Sequence, residues 1–138
     1  MAKQSGLGDY LAVDDSGGTA RAISNDITSY SIGNPQNMYD VTGIDKSAME
    51  RIVGLNDLTI SLNGYYNSAS NMSHDVFKVR TGTRTVTIAI GGNTSGKPKL
   101  EAECLVAEYN IDRGDDGALT WTATLNLSNG TVPTWSTV

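Results

Sequence analysis

Three stretches of the chain alternate apolar and polar residues with a period of two. Leu58, Ile60 and Leu62 alternate with Thr59, Ser61 and Asn63. Val86, Ile88 and Ile90 alternate with Thr85, Thr87 and Ala89, and Leu119, Trp121, Ala123, Leu125 and Leu127 with Thr120, Thr122, Thr124 and Asn126. Successive side chains of a strand point to opposite faces, so each stretch predicts a strand with one apolar and one largely hydroxyl-bearing face. The stretch Leu100 to Ile111 departs from this rule. It begins with Leu100, Ala102 and Cys104 against Glu101 and Glu103, then changes phase to Leu105, Ala107, Tyr109 and Ile111. A phase change inside one strand predicts a β-bulge or a sharp bend.

Other segments are shorter. Tyr10 to Val13 and Ala20 to Ile23 flank Asp14-Asp15-Ser16-Gly17-Gly18, a turn-forming cluster that predicts a hairpin. Ile27 to Ile32 alternates too weakly to assign a face. Two short helices are expected. Ser47-Ala48-Met49-Glu50 has the spacing of a capping box, with Ile52 and Val53 continuing an apolar stripe to Gly54. Met72 to Val79 groups Met72, Val76 and Phe77 on one side. Helices of about two turns need a sheet to pack on. With no internal repeat and no shift in composition, residues 1–138 read as one mainly β domain, 1–35 as an N-terminal arm and 128–138 as a C-terminal arm.

Composition narrows the function. Ser, Thr and Asn together number 39 of 138 residues and Gly adds 15, a make-up suited to strands and tight turns. The net charge of −5 offers no basic patch for a polyanion. The longest apolar run is Cys104 to Ala107, too short for a membrane-spanning helix. The N-terminus has no apolar core of a signal peptide, so export is not expected. A single cysteine leaves no internal disulfide and no cysteine-rich metal site.

The candidate chemical motifs each have a plainer reading. Gly91, Gly92, Asn93, Thr94, Ser95, Gly96 and Lys97 match the spacing of a phosphate-binding loop, but Pro98 follows where a magnesium-binding hydroxyl belongs, and a strand follows where a helix belongs. A flexible hairpin loop is expected. Asp112-Arg113-Gly114-Asp115-Asp116-Gly117 lacks the spacing of a calcium loop and reads as a hairpin tip. His74 beside Ser73 and Asp75 reads as a polar helix position, and Cys104 as a buried, inert thiol. No catalytic, cofactor or metal residues are expected.

The ordered set Asp40-Val41-Thr42-Gly43, Ser47 to Leu55, Asp57 leading into Ile60 to Gly64, and Asn129-Gly130-Thr131-Val132-Pro133-Thr134-Trp135 resembles the major tail (tail tube) proteins of long-tailed bacteriophages. The order runs from about residue 7 to residue 135. The resemblance implies a β-sandwich or half-barrel with a flanking helix, six copies closing into a ring, and rings stacking into the virion tube through which the genome leaves. It further implies assembly in the host cytoplasm and partners at the tube ends (tape measure, terminator and distal tail proteins). Double-stranded DNA would pass transiently, without specific binding. On that reading the hydroxyl-rich face, Thr85, Thr87, Thr120, Thr122, Thr124 and Asn126 with Glu101 and Glu103, lines the lumen, and residues 91–97 contact the adjacent ring. The alternatives are a tube protein of a contractile tail or secretion system, a capsid-decorating head protein, or a carbohydrate-binding sandwich using Tyr65, Tyr66 and Trp135.

Overall fold

Period-two alternation becomes strand wherever it is strong. The computed structural model describes residues 3 and 5–138. In chain order they form β1 (Tyr10–Asp14), β2 (Ala20–Ala22), a 3-10 turn (Ser24–Asp26), β3 (Ile27–Gly33), β4 (Gln36–Asp40), β5 (Arg51–Asn56), β6 (Thr59–Tyr65), α1 (Ser73–Phe77), β7 (Thr83–Ala89), β8 (Pro98–Arg113), β9 (Leu119–Leu127) and β10 (Trp135–Thr137). One antiparallel sheet runs β2-β1-β7-β8-β9-β6-β3, with β10 added to β8, while β4 and β5 form a separate two-stranded ribbon.

β8 joins two half-sheets. Its first part pairs with β7 through Lys99 to Leu105, and its second with β9 through Cys104 to Arg113. The register shifts between Val106 and Glu108, the bulge that the phase change predicts. Leu100, Cys104 and Val106 point inward before it and Tyr109 packs against the core after it. The phase change therefore falls later than the alternation suggests, and Leu105 and Ala107 lie outside. The bend lets one apolar face close on itself. Leu11, Val13, Val86 and Ile88 from one half share a core with Ile60, Leu62, Trp121 and Leu125 from the other. The ends of the sheet also meet: the Tyr30 hydroxyl on β3 donates to the Asp9 carboxylate beside β1.

Residues 10–33, expected as an arm, are part of this body. β1 and β2 form the expected hairpin, with Ala12 opposite Ala22, and Leu11, Val13 and Ile23 are buried. The cover over the apolar face is thus the sheet itself, aided by α1, which carries Val76 and Phe77 inward within the expected Met72 to Val79. At the other end, β10 pairs with β8, Trp135 opposite Leu100.

The helix expected from the capping box at Ser47 is absent. Residues 47–50 lie in a loop, and Arg51 to Asn56 is strand β5. The amide of Glu50 donates to the Thr42 hydroxyl at 2.8 Å, and its carbonyl accepts from Val41 at 2.9 Å. Those bonds satisfy the groups a helix start would have used, and the β-branched pair Ile52-Val53 suits a strand.

Arg84 occupies an inward position on β7 and is fully buried. Its guanidinium donates to the carbonyls of Asp14 (3.0 Å), Val76 (2.7 Å), Thr81 (3.2 Å) and Val79, tying α1 and the following loop to β1. Burial lowers its pKa below the usual value. Arg84→Met should leave those carbonyls without a donor and lower stability by about 3 kcal/mol, read as a lower urea midpoint.

Burial, then the hydrogen bond to Asp9, pushes the Tyr30 hydroxyl up to about 12, and burial raises that of Tyr109 to about 12 as well. Folding favours the neutral phenols, so their contribution is complete below the ordinary value of 10.0 and is lost as pH rises through it toward about 12. Stability should fall steeply in that window. In Tyr30→Phe the fall should be shallower, as measured by urea unfolding at a series of alkaline pH values.

Candidate assembly surface

The ribbon β4–β5 stands outside the core. Its strands pair Met38 with Val53, Tyr39 with Ile52 and Asp40 with Arg51. Every β4 residue is exposed, and so are Val41, Ile44, Met49, Ile52, Val53 and Leu55. A two-stranded ribbon alone is marginal in water, and removing each such apolar side chain from solvent is worth roughly 1.5–3 kcal/mol. The ribbon is nonetheless well shaped. Thr42 closes its tip by donating to Asp40 Oδ1 through both amide (3.0 Å) and hydroxyl (2.6 Å), which holds the Asp40 carboxyl below its usual range. The Tyr39 ring lies across Gly54, where a Cβ would collide with it. Sequence reasoning missed this surface because it assigned Ser47 to Val53 to a helix. The adjacent apolar pairs Met38-Tyr39 and Ile52-Val53 were its available signal.

The polar face carries the residues expected on it. Thr85, Thr87, Glu101 and Glu103 lie on the side of β7 and β8 opposite the core, as Thr120, Thr122, Thr124 and Asn126 do on β9. Cross-strand bonds join them: Thr85 donates to Glu103, Thr87 to Glu101 at 3.3 Å, Thr124 to Glu108 at 3.3 Å, and Thr59 to Asn126 at 3.2 Å. Lys99 approaches Glu101 at 4.0 Å. Leu127 and the segment from Asn129 to Thr134 border the Glu101–Glu103 stretch of β8.

Residues 91–97 connect β7 to β8 directly, with no helix. The loop is tied at both ends: the Gly91 amide donates to Asp9 Oδ1 at 2.7 Å, and the Gly96 amide donates to the Val138 carbonyl at 3.1 Å. Asn93, Thr94, Ser95 and Gly96 remain exposed. Asp112 to Gly117 spans the end of β8 and the tight β8–β9 turn, closed by Gly114 donating to Ala118 at 2.8 Å.

The other candidates are engaged structurally. His74 sits on α1, with Nδ1 3.2 Å from the Tyr109 hydroxyl, within a group of rings that includes Tyr66, Phe77 and Trp121. Cys104 is buried, and burial, then Glu103, pushes its thiol up to about 11. A cleft of about 550 Å³ lies between Gly6–Asp9 and Ile27–Tyr30, and its carboxylate, Asp9, already accepts from Tyr30 and Gly91. Tyr65 and Trp135 are not gathered: Tyr65 lies opposite Thr120 of β9, itself opposite Asp112 near one end of β8, whereas Trp135 lies opposite Leu100 near the other end.

No protein-family model matches the chain, and no curated protein matches it. Solved structures do. A chain of the tail of an empty gene transfer agent particle, of C6 symmetry, superposes with a TM-score of 0.73 at 14% identity, over 99% of both chains. A chain of the native gene transfer agent virion gives 0.69 at 14% identity, again over 99% of both. The chain has the tail-tube fold. The SPP1 tail tube agrees, with a TM-score of 0.68 at 10% identity over 94% of this chain and 81% of that one. The mainly β architecture, with one short α-helix among the described residues, matches these tail structures in fold, as the resemblance implies.

If the ribbon serves assembly and not the core, Gly54→Ala should separate the two. The added methyl group displaces the Tyr39 ring. Thermal unfolding of the dispersed subunit should move by no more than about 0.5 kcal/mol equivalent, while light scattering should show weakened association.

Proposed function

We propose that the chain is a structural, non-catalytic virion protein whose copies close into rings of six, and that the rings stack into a tail tube for genome delivery. The observation that carries this reading is the β4–β5 ribbon, a shaped element whose apolar side chains stay exposed on the folded chain. The tail-tube fold supports it, and the gene transfer agent tail that shares the fold has C6 symmetry. In the assembled tail, proteins at the tube ends would be its further partners.

In this reading the polar face lines the lumen. Phosphate contacts from Lys and Arg drive non-specific DNA binding through counterion release, so a conduit favours hydroxyls and like charge. Thr85, Thr87, Thr120, Thr122, Thr124 and Asn126 supply the wettable wall, and Glu101 and Glu103 supply the charge. At physiological salt the screening length is roughly 8 Å, so only charges close to the DNA path act on it. The exposed residues Asn93 to Gly96 serve as a contact to the adjacent ring.

Negative-stain microscopy of purified protein tests the assembly: rings and tubes are expected, and a monomer at every concentration overturns it. The lumen assignment is tested with Glu101→Lys/Glu103→Lys. Tubes of this variant should still form and should retain DNA at low salt, releasing it as salt rises. Tubes that remain indifferent to DNA would put these residues on the outer wall.

A further inference from the structure

Asn-Gly occurs twice in the chain, as Asn63-Gly64 and as Asn129-Gly130. Where such a pair is free to move, the glycine nitrogen can attack the asparagine side-chain carbonyl, because glycine has no Cβ to obstruct the approach. The two pairs sit in opposite settings. Asn63-Gly64 lies inside β6, with Gly64 opposite Ile27 of β3 on one side and Trp121 of β9 on the other. The Asn63 Nδ2 donates to the Ser29 hydroxyl at 3.2 Å, and the Asn63 backbone carbonyl accepts from the Thr28 hydroxyl at 3.2 Å. The packing is so close that a Cβ on Gly64 would collide with the Asp26 carbonyl. Ring closure there would require the strand to leave the sheet.

Asn129-Gly130 lies between β9 and β10, and both residues are exposed. Gly130 has a φ of +73°, with nothing within 4 Å of where a Cβ would stand. Its amide makes no hydrogen bond among the described residues. The Thr131 amide donates to Asn129 Oδ1 at 3.1 Å. That bond folds the carboxamide back along the Gly130 peptide and draws electrons from Cγ, the atom to be attacked. The β8–β9 turn offers a contrast. Asp116 Oδ1 accepts from the Ala118 amide at 3.0 Å in the same way, but there the Gly117 amide is engaged with the Gly114 carbonyl at 2.9 Å. The group it would attack is also a carboxylate, a poor electrophile.

We propose that Asn129 is a site of spontaneous deamidation in the folded subunit, with water as the only co-reactant. The Gly130 nitrogen gives its proton to water or hydroxide and forms a bond to Asn129 Cγ. The bond from Cγ to Nδ2 breaks, and ammonia leaves with a proton from water, so that a cyclic imide remains. Water then opens the imide at either carbonyl. Opening at Cγ gives aspartate, and opening at the main-chain carbonyl gives isoaspartate, in which the main chain runs through Cγ. Either product adds a negative charge to a residue that borders the Glu101–Glu103 stretch of β8. The isoaspartate form also lengthens the main chain by a methylene ahead of β10, whose Trp135 lies opposite Leu100. The step does not depend on assembly.

Mass mapping of the dispersed subunit after incubation in mildly alkaline buffer tests the site, with the same protein in urea as reference. In urea both asparagines should convert at similar rates. In the folded subunit Asn129 should stay within about tenfold of its rate in urea, whereas Asn63 should be slowed at least about a hundredfold by the need to open β6. The peptide containing position 129 should accept methyl groups from an L-isoaspartyl methyltransferase, which registers the imide route. Gly130→Ala should slow conversion at least about tenfold, because its methyl group obstructs the attack. Asn129→Gln, whose longer side chain closes a larger ring far more slowly, should stay intact. Folded Asn129 as slow as folded Asn63 overturns the proposal. An aspartate product with no isoaspartate overturns it too, since that is the outcome of direct hydrolysis, and so does an unchanged rate in Gly130→Ala.

Discussion

β8 has to satisfy two sets of neighbours along one strand, and the remainder of the fold depends on how it does so. Lys99 to Leu105 belongs with β7, Cys104 to Arg113 belongs with β9, and the two pairings overlap at only two residues. A straight strand would hold both partners in one open sheet, with its apolar face bare. The bulge after Val106 resets the alternation, so that Tyr109 returns to the side already occupied by Leu100 and Cys104. The sheet can then curl over itself, and a chain whose α-helix, among the described residues, is one five-residue segment obtains a core. The Tyr30–Asp9 bond is a consequence of that closure, since it joins β3 to the segment before β1, which meet only when the two ends of the sheet face each other.

What the sequence made legible follows from where periodicity was the dominant signal. β6, β7 and β9 each bury one face of a strongly alternating run, so pattern and packing agree. The bend in β8 was visible as a phase change, though displaced, because Leu105 and Ala107 are apolar residues that the structure leaves outside. β1 was legible as a strand but not as core: its five residues, Tyr10 to Asp14, are too few to reveal that Leu11 and Val13 both face inward. Arg84 was illegible, because a cation in an inward position breaks the very pattern used to find strands, and its partners are carbonyls that carry no sequence signature. The ribbon was misread because local signals favoured a helix start at Ser47, while the interactions that decide the matter, between Val41, Thr42 and Glu50, span a loop. The polar face was the part of the site that alternation could find. The apolar ribbon was the part it could not, since Met38 with Val53 and Tyr39 with Ile52 put apolar side chains on both of its faces, so its apolar residues do not alternate.

The hydroxyl-rich face shows how charge can be kept and still restrained. Glu101 and Glu103 each accept from a threonine directly across β7, and Glu108 accepts from Thr124 on β9. Each hydroxyl fixes a carboxylate against the sheet, where a freely mobile side chain would sweep a wider volume. A threonine also suits a strand by its branching, so one residue type serves both the ladder and the surface chemistry. The neighbouring cation, Lys99, lies close to Glu101, which limits the attraction it exerts on an anion beyond the face.

The core and the exposed ribbon are built from different residues in this chain. The core draws on β1, β6, β7, β8, β9 and α1, and none of its buried members comes from β4 or β5. A subunit built this way can fold completely before it meets another copy, because the ribbon contributes little to the monomer and its base is already pinned at Pro35 and Leu58. It also carries a hazard, since exposed apolar ribbons with free edges invite unordered association. The net charge of −5 opposes casual contact between copies at long range, whereas apolar burial acts only when the surfaces fit closely. For copies that do meet, burial of the ribbon's apolar side chains is the short-range gain that would have to exceed this long-range repulsion.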